Sequence, residues 1–125
     1  MQLRSFMSAK IHKARVTEAN LNYVGSITID AQLLELTGLL PNEKVLVVSN
    51  TSGARLETYV IEGEYGSGCI GVNGAASHLI GEGEEVIIIA FTLATEPVEP
   101  KAILVDKNNK FVCNLVEEAE MTAPA

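Results

Sequence analysis

The stretch Tyr23-Val24-Gly25-Ser26-Ile27-Thr28-Ile29-Asp30 sets a Gly-Ser pair directly before a run of β-branched residues and closes it with an aspartate. Glycine supplies unusual φ angles and serine bonds its own backbone, so taken alone the pair reads as a turn. Residues 26–29 then read as a strand, because β-branched side chains fit a pleated, half-buried surface. Asp30 is placed to N-cap a helix over residues 31–37, which carries apolar Leu33, Leu34 and Leu36 and is ended by Gly38. Turn, strand and capped helix in sequence point to a mostly β fold with short helices.

The same reading extends outward. Residues 10–17, 45–49, 56–61, 70–72, 86–93 and 102–105 have strand character, and Asn50-Thr51-Ser52-Gly53 and Lys107-Asn108-Asn109-Lys110 read as hairpin loops. Residues 63–68 carry three glycines, a second short helix is expected near Asn73-Gly74-Ala75-Ala76, and Glu96-Pro97-Val98-Glu99-Pro100 reads as a surface crossover. Many short strands separated by tight turns predict a small closed barrel, since closure removes exposed sheet edges.

The 125 residues predict one domain over residues 1–116, with residues 117–125 expected to be a disordered tail by composition. A net charge of −7 and a pI near 4.7 argue against a nucleic-acid partner, which requires clustered Lys and Arg. Arg4, Lys10, Lys13 and Arg15 nevertheless fall within the first fifteen positions, as a solvated strand or as the cationic wall of a carboxylate pocket. Cys69 and Cys113 have no metal-ligand spacing and read as reduced, packed thiols, and no metal site is expected. The apolar runs 45–48 and 86–91 are too short to span a bilayer, so no membrane partner is expected and the cytoplasm is the default location.

Four blocks in order and register change the reading of the Gly-Ser pair. These are Lys10-Ile11-His12, Tyr23 to Asp30, Arg55-Leu56-Glu57-Thr58-Tyr59, and Val72-Asn73-Gly74-Ala75-Ala76. With them, residues 1–95 closely resemble the pyruvoyl-dependent aspartate 1-decarboxylases. The resemblance implies a double-psi β-barrel and a homotetramer with active sites between neighbouring subunits. It also implies a covalently bound pyruvoyl group derived from Ser26, with no metal and no pyridoxal phosphate, and the family includes members matured by a helper protein. The activity implied is α-decarboxylation of L-aspartate to β-alanine and CO2, feeding pantothenate and coenzyme A synthesis.

The implied maturation is a backbone rupture. Ser26 Oγ attacks the Gly25 carbonyl carbon in a strained turn, and glycine helps because no Cβ obstructs the approach. The resulting ester eliminates to dehydroalanine, which becomes a ketone with loss of ammonia and separates a β chain, residues 1–25, from an α chain, residues 26–125. That ketone condenses with the substrate amine as a Schiff base and accepts the electron pair left at Cα. By the same resemblance Thr58 is a hydrogen-bond donor in processing and a substrate contact, and Tyr59 is the proton donor. Lys10, Arg55, Asn73, Gly74, Ala75 and Ala76 bind substrate, and His12 and Tyr23 support the site. On a strand Arg55, Glu57 and Tyr59 share one face and Thr58 the other.

Similarity is loose after Leu93, and a tryptophan found in some relatives is replaced near Val48. The competing reading is a non-catalytic double-psi-barrel binding or assembly module in which Gly25-Ser26 is only a turn. A serine hydrolase is excluded because Gly66-Ser67-Gly68 lacks the nucleophile-elbow spacing.

Overall fold

The computed structural model describes residues 1–119 and Met121. Among these, nine strands and one α-helix follow in the order β1 (Arg4–Arg15), β2 (Glu18–Asn20), β3 (Ser26–Asp30), α1 (Ala31–Thr37), β4 (Lys44–Ser49), β5 (Arg55–Gly63), β6 (Ile70–Asn73), β7 (Glu85–Ala94), β8 (Lys101–Val105) and β9 (Phe111–Leu115). A 3-10 turn, Gly74–His78, follows β6. Glu120 and residues 122–125, part of the segment expected to be a disordered tail, lie outside the described residues.

The sheet runs β2-β6-β3-β5-β4-β7-β1-β8-β9. Parallel pairs (β1 with β8, β2 with β6, β3 with β5) are interleaved with antiparallel ones (β1 with β7, β4 with β5, β3 with β6). This mixture of crossing connections, with short helices, is the architecture of a double-psi barrel. No ladder joins β2 to β9 among the described residues, so the closure expected from the sequence is made by packing, not by backbone pairing. A single cluster draws Ile11 and Val105 from one end of the sheet together with Ile27, Ile29, Val60 and Val72 from the other. Each such buried aliphatic side chain contributes roughly 1.5–3 kcal/mol relative to exposure.

Alternation places the core. In β4, Val45, Val47 and Ser49 are buried while Lys44, Leu46 and Val48 are not, and in β7 Val86, Ile88 and Ala90 turn inward. β3, β6 and β8 are buried on both faces over most of their length. Helix α1 has the bounds the sequence predicted: Asp30 accepts from Gln32 N, and Gly38, at φ 77°, donates to Leu34 O. Leu33 and Leu34 enter the core, so α1 plugs the region where β1, β3 and β8 approach.

Several expectations are extended. β1 begins at Arg4 and bulges at Lys13, which sits at φ 64° where the pairing with β7 shifts register. β2 and β9 did not figure among the expected strands. Asn109, at φ 61°, accepts from Arg15 N at 2.7 Å and donates to Arg15 O and Gly68 O at 2.8 Å, clipping the β8–β9 hairpin to the β1 corner. Cys69 and Cys113 are free thiols, both half-buried.

Candidate active site

Ser26 is the first residue of β3 and is 1% exposed, whereas Tyr23, Val24 and Gly25 before it are exposed. The Gly25-Ser26 peptide therefore lies where the chain enters the barrel. Asn20 tightens the approach, accepting Asn22 N on its side chain and Tyr23 N on its carbonyl. Ser26 Oγ donates to Val24 O at 3.0 Å, back along its own chain, and accepts from Asn73 Nδ2 at 2.9 Å. Asn73 stands opposite Ser26 in the antiparallel β3–β6 ladder, and the same Nδ2 donates to Thr28 Oγ1 at 3.0 Å. Asn73 makes no side-chain cap to the 3-10 turn that follows it; its amide is committed to the β3 hydroxyls.

The strained glycine is not where the sequence reading set it. Gly25 is absent from the positive-φ residues, and a Cβ built on it meets nothing within 4 Å. Gly74, at φ 70°, is the constrained position: a Cβ there would come within 2.7 Å of Gly25 Cα, 2.9 Å of Gly25 N and 3.2 Å of Tyr23 O. The backbone of the 3-10 turn thus packs directly against the candidate scissile segment. Gly74→Ala should cost about 2–4 kcal/mol from left-handed strain and overpacking together, and should displace Gly25. Thermal melting and the rate of chain cleavage measure the two effects separately, and a variant with wild-type values for both would show that the turn yields freely.

The parallel ladder supplies the neighbouring strand. Ile27 pairs with Val60, so the register carried back one residue sets Ser26 beside Tyr59 and carried back two sets Gly25 beside Thr58. Both are half-buried. Arg55 is exposed at the start of β5, four residues and so about 13 Å before Tyr59 along the strand, beyond the entry of β3. Ala75 is exposed and Ala76 packs against the core from the 3-10 turn.

Lys10 and His12 are placed elsewhere. Both lie on β1, separated from β3 by β5, β4 and β7 in the sheet. Lys10 Nζ contacts Glu117 Oε1 at 2.5 Å, with the side chains 14% and 41% exposed. The lysine expected to meet a substrate carboxylate is thus held by a carboxylate of its own chain, from the segment expected to be disordered. His12 lines a cavity of about 130 Å³ with Leu115, Glu117, Glu118 and Met121, and Ser26 is not among its walls. Burial, then Lys10 and Lys13, hold the His12 imidazole below its ordinary pKa of 6.5, against smaller opposing pulls from Glu117 and Glu85. Its Nδ1 is buried without a hydrogen-bond partner among the described residues.

The chain therefore gathers Gly25, Ser26, Thr58, Tyr59, Asn73 and Gly74 around the entry of β3 and leaves Lys10 and His12 across the sheet. The gathered set combines a buried hydroxyl oriented by an amide, a phenol on the adjacent strand and a glycine turn packed closely against the preceding peptide, which suits an intramolecular attack on that peptide. Sequence reasoning missed Thr28 and Glu117. Thr28 was legible by period two on the Ser26 strand; Glu117 carried no local signal, being paired to a residue 107 positions away. Among the described residues no three His, Cys, Asp or Glu side chains group to hold a metal ion, and no helix is long and apolar enough to cross a membrane.

Comparison with known proteins identifies the family of the chain. The family model described as aspartate decarboxylase matches residues 1–112. An aspartate 1-decarboxylase of Geobacillus sp. (strain WCH70) is 51% identical over 123 residues, covering 95% of this chain and 97% of the relative. That of Bacillus subtilis (strain 168) is 51% identical with the same coverage, and that of Desulfitobacterium hafniense is 57% identical over 110 residues, 85% of this chain and 87% of the relative. With a family model and near full-length relatives at this identity, the chain belongs to the aspartate decarboxylase family.

Proposed function

We propose that this chain removes the α-carboxylate of L-aspartate, giving β-alanine and CO2, after cutting itself between Gly25 and Ser26. The observation that carries the reading is the buried Ser26 hydroxyl, fixed by Asn73 and Val24 O at the mouth of the barrel directly behind an exposed glycine. In the cut, Ser26 Oγ bonds to the Gly25 carbonyl carbon while the C–N bond breaks and the hydroxyl proton passes to the Ser26 nitrogen. Loss of the Ser26 Cα proton and the Gly25 carboxylate, then entry of water and departure of ammonia, leaves a ketone at residue 26. Such a pyruvoyl group supplies the electron sink that no standard side chain offers.

The chain's own residues do the rest. Thr58 donates to the oxygen that becomes negative during the cut. Tyr59, beside Ser26 in register, holds the proton that returns to the substrate Cα. Asn73 and the Gly74, Ala75 and Ala76 turn line the substrate, and Lys10 and Arg55 take its carboxylates. Because Lys10 and His12 lie across the sheet from Ser26, a second copy of the chain brings them to it, which supports a homo-oligomer, in the family's case a tetramer, with shared sites. Tyr23 flanks the cut from the exposed loop.

Intact-mass measurement of purified protein tests the reading. Self-processing yields two pieces whose masses sum to about one dalton above the precursor, whereas hydrolysis adds about eighteen. A chain that stays whole and forms no β-alanine, with a maturation helper supplied, overturns it. Tyr59→Phe should leave cleavage intact and lower kcat by about 10²–10⁴, the range for a lost general acid; unchanged turnover removes Tyr59 from that role. Glu117→Gln should lower KM for aspartate a few-fold, since it frees Lys10 from a competing carboxylate; an unchanged KM would show that the contact does not compete.

A further inference from the structure

We propose that Thr28, to which the family resemblance assigns no role, is a positioning residue for the cut, acting through Asn73; the proposal rests on the self-cleavage reading above. Ser26 and Thr28 are two apart on β3 and so face the same side. Across the ladder Ser26 pairs with Asn73 and Thr28 with Gly71. Asn73 is thus diagonal to Thr28, within reach of a long polar side chain. Gly71 leaves that diagonal open: a Cβ there would meet Thr28 Cβ at 3.5 Å and Asn73 Oδ1 at 3.8 Å. The Thr28 methyl lies toward Gly63, where a Cβ would approach it to 3.0 Å, and its hydroxyl lies toward Asn73.

The consequence concerns which end of the Asn73 amide Ser26 sees. A primary amide has two N–H donors on one side and a carbonyl acceptor on the other. Here both donors are taken, one by Ser26 Oγ at 2.9 Å and one by Thr28 Oγ1 at 3.0 Å, so the nitrogen side is held toward β3. Ser26 Oγ, accepting from Asn73, sends its own proton to Val24 O, and one lone pair is left for the Gly25 carbonyl carbon. Without the Thr28 oxygen the amide loses a reason to keep this orientation. Turned over, its carbonyl would accept the Ser26 proton, draw the hydroxyl off Val24 O and turn the lone pairs away. Thr28 touches neither the scissile peptide nor, in this reading, the substrate, and so controls the rate of the cut only by fixing Asn73.

The test uses freshly purified full-length precursor and follows conversion to two pieces by intact mass. Thr28→Val, which keeps the shape and the β-branch, should slow cleavage about tenfold, the loss expected for one hydrogen bond held in a partly buried site. Thr28→Ser, which restores the oxygen, should return the rate to near wild type. Because a purely structural Thr28 would show the same coupling to stability in any background, the decisive arm is Asn73→Ala with and without Thr28→Val: the two should cleave at the same slow rate, since Thr28 has nothing left to position. Melting temperatures taken alongside show that every variant is folded. Wild-type cleavage with an unslowed Thr28→Val, or the same fold-slowing by Thr28→Val in the Asn73→Ala background, overturns the proposal alone. A wild-type chain that never cleaves, with a maturation helper supplied, overturns the self-cleavage reading and this one with it.

Discussion

Replacing Ser26 by alanine is expected to abolish chain cleavage and β-alanine formation together while the barrel stays folded. In the proposed reaction the substitution removes both the nucleophile of the cut and the Cβ oxygen whose departure with the Gly25 carboxylate opens the way to the ketone, so neither step has a substitute elsewhere in the chain. The structural cost is modest by comparison. Asn73 loses one acceptor but keeps Thr28 Oγ1, and Val24 O, in an exposed loop, is free to meet water. One unpaired N–H in a buried setting costs about 1–3 kcal/mol, a fraction of a domain's stability. The variant should therefore run as one chain of 13.4 kDa with a melting temperature lowered by several degrees, inactive at any substrate concentration. Residual turnover by an uncut Ser26→Ala chain would place the electron sink elsewhere and remove the basis of the proposed function. Loss of the fold would show up as a collapsed melting transition and be told apart from loss of chemistry.

What could be read from the sequence divides along the range of the interactions involved. Helix α1 was legible to the residue because both of its ends are local: Asp30 caps Gln32 two positions on, and Gly38 closes on Leu34. β3, β4 and β7 were legible because β-branched alternation marks each without reference to its partner. β2 was not, since three residues, Glu18–Asn20, carry no pattern and become a strand only by pairing with β6 about fifty positions later. β9 was hidden by its mixed exposure against β8.

The candidate site shows the same division. The Gly-Ser pair was visible, but the conformational demand the sequence reading laid on Gly25 belongs to Gly74, because the constraint arises from the close approach of two backbones and not from the pair itself. Resemblance named Lys10 and Ser26 together, yet only the sheet order reveals that a single chain sets β5, β4 and β7 between them. The Lys10–Glu117 contact spans nearly the whole chain and has no sequence signature at all.

Asp30→Ala is expected to be the most destabilising single change outside the hydrophobic core, and the reason is that one carboxylate serves three separate backbone amides. Oδ1 accepts from Gln32 N and from Gly66 N, and Oδ2 from Gly68 N, each at 2.8 Å. The residue is 1% exposed, and its own N–H donates to Cys69 O, so β3, α1 and the loop between β5 and β6 are tied at this point. Gly68, at φ 73° and with no space for a Cβ against Asn108 O, holds a conformation that few other arrangements satisfy. Removing the carboxylate leaves a helix start uncapped and a buried amide unpaired, for a combined cost of about 3–5 kcal/mol. For a chain of this size that corresponds to a fall in melting temperature of about 10–20 °C. Wild type and variant must be compared at equal protein concentration, because association shifts the apparent midpoint. Asp30→Asn should fall between them: its carbonyl can replace Oδ1 for Gln32 and Gly66, but its NH2 then faces the Gly68 N–H, donor against donor. Ser26 lies at the other end of the same five-residue strand, so cleavage should slow in the order wild type, Asn, Ala as the strand loosens. An alanine variant melting within about 3 °C of wild type would mean that water replaces the carboxylate, and that β3 is anchored by its two ladders alone.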